Sequence, residues 1–231
     1  MLGHAFLGFF ERNFSALSTQ DQEKLLKSAV LVIGCGGLGG YVLEILARIG
    51  VGRLIFADGD RFEQTNLNRQ ILATTENLGK NKAKVAKHRI EKIAPYCKPM
   101  ALEYFIGPSD ISKYARSVEL IVDAVDGVET KVQLIKQCQG AMIPVVTGAV
   151  AGFEGFVSSV LPSGKSPIDF FCGRNGEGAE NLLGTPAPTV SMIGTLQAYE
   201  AISYICWGRF YLENKVCYIS LRNFSFDILK L

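Results

Sequence analysis

Ala29-Val30-Leu31-Val32-Ile33-Gly34-Cys35-Gly36-Gly37-Leu38-Gly39-Gly40 is the stretch whose reading decides the fold. An apolar run rich in β-branched residues breaks into clustered glycines and resumes with helical spacing, so it reads as strand, tight loop and helix. Gly34, Gly36 and Gly39 hold the Gly-x-Gly-x-x-Gly spacing. The first glycine permits a sharp turn, the second a close approach of backbone to phosphate, and the third close packing of helix on strand. An anion would sit where the helix begins, against unpaired N–H groups and the positive end of the helix dipole. Glycine-rich turns of this kind also occur where nothing binds, so the neighbouring chain has to decide.

Downstream, Arg53-Leu54-Ile55-Phe56-Ala57 reads as a second strand ending at Asp58. That acid lies about twenty residues past Gly39, where a ribose-binding carboxylate is expected. The stretch Asp58 to Gln70 is too rich in Asp, Asn and Arg to be chosen for packing and reads as a binding loop. Gly79-Lys80-Asn81-Lys82 leads into a helix over Ala83–Ala94 with Val85, Ile90 and Ile93 on one side and a basic face on the other. Lys82 stands at a helix start, where the dipole disfavours a cation, so its placement calls for a reason.

The rest continues the alternation. Strands are expected at Met100–Phe105, Val118–Val122 and Ile143–Gly148, with a short helix near Asp110–Ala115 and a longer one over Val128–Gln139. This predicts an α/β, Rossmann-like fold: a mostly parallel sheet flanked by helices, with Asp58 and Asp126 at the strand ends that carry the site. Beyond it come a strand at Phe156–Leu161, a long flexible crossover loop over 162–188, and a helix at Val190–Trp207. Two antiparallel C-terminal strands follow within Lys215–Leu231, turning near Arg222-Asn223. Residues 1–28 form an N-terminal helical segment, with a cap-like start at Ser18, and the whole of 1–231 is expected to be a single domain.

Composition bounds the function. Hydrophobic content of 48% and charged content of 20% are ordinary for a compact soluble protein, and the formal net charge is +2. That balance argues against a nucleic-acid coat or a membrane-surface protein. No apolar run reaches the roughly 18 residues of a membrane span, and no signal-peptide pattern opens the chain, which points to the cytoplasm. Cys35, Cys97, Cys138, Cys172, Cys206 and Cys217 form no Cys-x-x-Cys pair, so neither a disulfide framework nor a structural zinc is expected. With only His4 and His88, both read as surface residues, a histidine-based catalytic pair has little to draw on.

At this point the chain resembles the ThiF/MoeB/HesA adenylyltransferases, bacterial relatives of the ubiquitin-activating enzymes. The resemblance rests on Gly34-Cys35-Gly36-Gly37-Leu38-Gly39, Asp58-Gly59-Asp60, Thr65-Asn66-Leu67-Asn68-Arg69-Gln70, Gly79-x-x-Lys82, Asp123-x-x-Asp126 and Gly194-Thr195-Leu196-Gln197-Ala198-x-Glu200. It implies a homodimer that uses ATP and magnesium to adenylate the C-terminal carboxylate of a small ubiquitin-like sulfur carrier protein ending in Gly-Gly, in thiamine or molybdopterin sulfur transfer. Carried over, it gives Asp58 the ribose, Gly34, Gly36, Gly37 and Gly39 the phosphates through their backbone, Asn66, Arg69 and Lys82 the phosphate chain, and Asp126 the magnesium. Asp60, Thr65, Asn68 and Gly127 complete the nucleotide-binding set. Arg69, Lys82 and Asp126 are the expected catalytic residues, with Arg12 as the arginine that would reach a partner subunit's nucleotide.

Each role has a structural rival: Asp58 as a loop cap, Asp60 as a fold element, Arg69 and Lys82 as solvated cations, Asp126 as the cap of the helix near Val128. Gln197 and Glu200 read as fold or dimer elements outside the site. The sequence departs from the family in three places. Arg12-Asn13-Phe14-Ser15 keeps only the first arginine of an Arg-x-x-Arg-Gln pattern. The zinc-binding cysteine pairs are missing, leaving Cys172 as a structural remnant. Gly178–Gly184 holds no reactive cysteine. Two other functions stay open: a tRNA threonylcarbamoyladenosine dehydratase-like enzyme running the same activation chemistry, and a catalytically silent nucleotide-binding partner.

Overall fold

The computed structural model describes residues 8–168 and 182–231. One mixed sheet organises them, in the strand order β3-β2-β1-β4-β5-β6-β7-β8. Strands β1 (Ala29–Ile33), β2 (Arg53–Ala57), β3 (Lys98–Leu102), β4 (Leu120–Asp123) and β5 (Val145–Ala151) run parallel. Strands β6 (Glu154–Val160), β7 (Lys215–Ser220) and β8 (Ser225–Lys230) continue antiparallel, as the α/β reading expects. Strand β1 is buried at every position, as a central parallel strand covered on both faces must be.

Helices α1 (Thr19–Lys27), α2 (Gly37–Ile49), α3 (Lys82–Ile93), α4 (Val128–Gly140) and α5 (Ala187–Trp207) cover the sheet. One apolar cluster gathers Val30, Val32, Val42, Leu46, Phe56, Ile90 and Ile193 on one face. A second gathers Leu31, Ile33, Ile55, Ile121, Leu134 and Ile135 on the other. Helix α1 starts at Ser18, whose side chain accepts from Asp21 N while Asp21 returns to Ser18 N, a capping box. Helix α2 stops at Gly50, whose φ of 112° no side-chain-bearing residue adopts readily.

The element bounds differ from the sequence reading at the sheet's edge. Strand β3 spans Lys98–Leu102 rather than Met100–Phe105: it is an edge strand that tolerates Pro99, and Tyr104 and Phe105 leave the sheet and stand exposed. The segment near Asp110 is a 3₁₀ turn, Pro108–Lys113. The centre of the 162–188 connection lies outside the described residues, as do His4 and Cys172. Among the described residues no helix is long and apolar enough to cross a membrane.

Candidate functional site

The parallel register sets the site. Ile33 pairs with both Ala57 and Asp123, so Gly34, Asp58 and Ala124 leave their strands at one level. The chain departs from β1 toward β2 on one side and β4 on the other. The crevice beyond β1 and β4 is therefore the place where a sheet of this class takes a ligand. Gly34 has φ of 100°, and a Cβ there would stand 2.4 Å from the Ala124 carbonyl oxygen. A Cβ on Gly39 would stand 1.8 Å from the Gly34 carbonyl oxygen, so the third glycine is what lets α2 begin directly on the strand end.

Asp58 is 6% exposed. One carboxylate oxygen accepts from Cys35 N at 2.7 Å and the other from Asp60 N at 2.8 Å. Each oxygen keeps a second lone pair, so the loop-tying role and a role toward ribose hydroxyls are compatible. Burial pushes the Asp58 carboxyl above the usual aspartate value, against the pull of those two N–H groups and of Lys82. The puzzle of Lys82 resolves here: its Nζ lies 3.1 Å from Asp60 Oδ2. The lysine is buried while its partner is half exposed, which leaves that ammonium at the edge of the crevice.

Asn66 is buried, with its Oδ1 accepting from Glu63 N at 3.0 Å. Arg69 is tethered by Nη1 to Thr65 O at 3.0 Å and Asn68 Oδ1 at 2.8 Å, so the polar loop holds its own arginine. Gln70, quoted above for its motif but not placed in the site, packs its amide beneath Gly36, and its Oε1 is buried without a partner.

Asp126 is exposed in the turn after β4 and makes no hydrogen bond among the described residues. It does not cap the following helix: Gly127, with φ of 83°, holds the N-cap position of α4 and no side chain caps it. No cluster of three or more His, Cys, Asp or Glu suited to a metal occurs among the described residues. Magnesium shared with phosphates needs only one or two carboxylates, and Asp126 fits that requirement.

Two features escaped sequence reasoning. The Phe105 ring lies over the Gly59 backbone, where a Cβ would meet it at 2.6 Å, and so offers an aromatic face beside Asp58. Asp123 is fully buried and bound by Lys131 and Thr147, neither of which stood out in the sequence.

Arg12 is not brought to the cluster. Its 3₁₀ turn, Glu11–Asn13, is fastened to the far end of α2 through Asn13 Nδ2 to Ile49 O. That end lies about 20 Å from the glycine loop, given 1.5 Å per helical residue. Cys35, Cys97, Cys138, Cys206 and Cys217 are buried free thiols. Burial pushes Cys97 up to about 11 and Cys138 to about 12, so neither offers a thiolate near neutrality.

Comparison with known proteins agrees with this geometry. Residues 10–231 match the model of the ThiF family. The chain is 33% identical over 196 residues to the sulfur carrier protein ThiS adenylyltransferase of Escherichia coli strain K12, covering 82% of this chain and 76% of that protein. It is 38% identical over 148 residues to the tRNA threonylcarbamoyladenosine dehydratase of Haemophilus influenzae, covering 62% of this chain and 57% of that protein. The structure of E. coli MccB with ATP matches with a TM-score of 0.79 and 25% identity, over 91% of this chain and 65% of that one.

Proposed function

The chain belongs to the ThiF family and is an ATP-dependent adenylyltransferase; from that premise we propose that it activates the C-terminal glycine carboxylate of a small ubiquitin-like sulfur carrier. The observation that carries this reading is the convergence, at one end of the parallel sheet, of the glycine cradle, the Asp58–Asp60–Lys82 chain and the partnerless carboxylate of Asp126. Gly34, Gly36, Gly37 and Gly39 supply backbone for the phosphates, Asp58 faces the ribose, and Phe105 gives the base a surface. Thr65, Asn66 and Asn68 shape the loop that carries Arg69.

The substrate brings its own nucleophile. A carrier carboxylate oxygen bonds to the α-phosphorus, the bond from that phosphorus to the bridging oxygen breaks, and pyrophosphate leaves with the electron pair. Negative charge grows on nonbridging oxygens and on the leaving group, where Lys82 and Arg69 lower the barrier. Asp126 would hold magnesium, which when bound neutralises charge across the phosphates. No side-chain nucleophile is needed, in keeping with the burial of the five free thiols among the described residues.

Arg12 lies too far from its own glycine loop to act there, so within this reading it serves a neighbouring copy in a homodimer. The dehydratase reading is favoured by the 38% identity above and shares the same activation step. Mass spectrometry of a carrier incubated with the protein, ATP and magnesium separates the two. An acyl-adenylate on the terminal glycine supports the proposal. Turnover of a carboxyl-bearing tRNA adenosine with an unmodified carrier assigns the chain to the other branch, and no ATP turnover with either makes it a silent nucleotide binder.

A further inference from the structure

A buried polar cluster stands behind the turn that carries Asp126. Asp123 closes β4 at 0% exposure, and its carboxylate accepts from Thr147 Oγ1 of β5 at 2.6 Å, from Lys131 Nζ of α4 at 3.2 Å, and from Val125 N at 3.1 Å. Its backbone carbonyl accepts from Gln197 Nε2 of α5 at 2.8 Å. Lys131 is itself 4% exposed. Four elements thus meet on the residue from which the 124–127 turn departs, and the next carbonyl, that of Ala124, is the one pressed against Gly34.

A buried ion pair is poor evidence of a contribution to stability, because desolvating both charges offsets much of their attraction. An apolar pair of similar volume would hold β4 to α4 as well. It could not accept the Val125 N–H, and that bond fixes the path of the turn between the glycine loop and Asp126. We propose that Asp123, Lys131 and Thr147 are positioning residues, which hold the Asp126 carboxylate where a nucleotide-bound magnesium can reach it. The proposal rests on Asp126 being the magnesium carboxylate.

The cluster can be loosened in two ways. Thr147→Val removes one donor to Asp123 at nearly constant volume and no change of charge. Lys131→Met leaves a buried carboxylate without its cation, a larger disturbance. In both, the backbone donors of the glycine loop and Lys82 remain, so metal-free nucleotide binding persists while the share of affinity linked to magnesium falls.

The test is calorimetric titration of ATP in excess magnesium and in chelator, for the unaltered protein and for Thr147→Val, Lys131→Met, Lys131→Arg and Asp126→Asn, with thermal unfolding alongside. The expected result is a magnesium-dependent gain in affinity that vanishes in Asp126→Asn and largely vanishes in Lys131→Met. In Thr147→Val it shrinks by up to about fivefold, the worth of one hydrogen bond, and in Lys131→Arg it is kept. Metal-free affinity stays within about twofold in Thr147→Val, Lys131→Met and Lys131→Arg. If Lys131→Met does not fold, Thr147→Val decides. A lower melting temperature with the magnesium gain intact in Thr147→Val and Lys131→Met, but lost in Asp126→Asn, overturns the positioning role alone. No magnesium gain in the unaltered protein overturns the reading of Asp126, and this proposal with it.

Discussion

Gly39→Ala is the sharpest perturbation of the phosphate cradle, because it adds one methyl group at the point where α2 meets β1. The new Cβ would stand 1.8 Å from the Gly34 carbonyl oxygen and 3.3 Å from Ala124 Cβ. The tightest ordinary carbon-to-carbonyl approach is about 3.3 Å, so the start of α2 has to move outward by about 1.5 Å. Such overpacking costs about 1–3 kcal/mol, and a 1.5 Å clash against backbone belongs at or beyond the top of that range. Alanine returns up to about 1 kcal/mol through its helix propensity. The net loss is about 2 kcal/mol, a fall in Tm of roughly 4–8 °C for a chain of this size. The same movement re-aims the first N–H groups of α2, and loss of one phosphate hydrogen bond weakens ATP binding about tenfold. Gly40→Ala is the control: its Cβ meets the half-exposed Ile71 side chain at 3.2 Å, which can give way, and both readings stay near those of the unaltered protein. Calorimetry and thermal unfolding measure both quantities. A Gly39→Ala protein with unchanged Tm and unchanged ATP affinity would refute the argument that this glycine sets the cradle.

Lys82→Ala and Arg69→Ala each lower adenylation by on the order of 100-fold, as expected for cations aimed at a developing anion, without abolishing folding; steady-state rates with circular dichroism check both. Asp126→Asn leaves the melting temperature unchanged, because the carboxylate neither caps α4 nor makes a hydrogen bond, while magnesium-dependent turnover collapses and is partly restored by added magnesium. Glu44 bridges α2 and α3: burial raises its pKa, but Arg89 and Arg48 outweigh that and hold the carboxyl below the usual glutamate value. Its stabilisation is present above the unfolded pKa and lost as pH falls through the lower folded value, so Glu44→Gln flattens the acid limb of a Tm profile below about pH 4.5 and lowers Tm at neutrality. Equal acid limbs in the two proteins would remove Glu44 from that role.

What could be read from the sequence was what local spacing encodes. The glycine pattern, the acid at the end of β2 and the alternation of apolar runs set the sheet and the level of the site, because each depends on neighbours within one turn or one strand. Gln197 and Lys131 were not legible as partners of Asp123, which lies 74 and 8 positions away. Nothing in helical periodicity distinguishes a buried lysine that meets a strand-end aspartate from one facing water. Phe105 falls within the run expected as a strand, Met100–Phe105, whereas β3 ends at Leu102 and the ring turns back over Gly59, a contact that strand spacing does not encode. Lys82 stands out in the sequence through its motif and its place at a helix start, but its pairing with Asp60, 22 positions away, is not legible there.

The central claim is that the crevice at the end of β1 and β4 joins ATP to the terminal carboxylate of a carrier protein. Exchange of labelled pyrophosphate into ATP, in the presence of a ubiquitin-like carrier ending in Gly-Gly or of the same carrier without its last glycine, tests it most directly. Exchange that requires the intact terminus and falls away in Lys82→Ala is the predicted result. Exchange of equal size with the shortened carrier, or with no carrier, would contradict it.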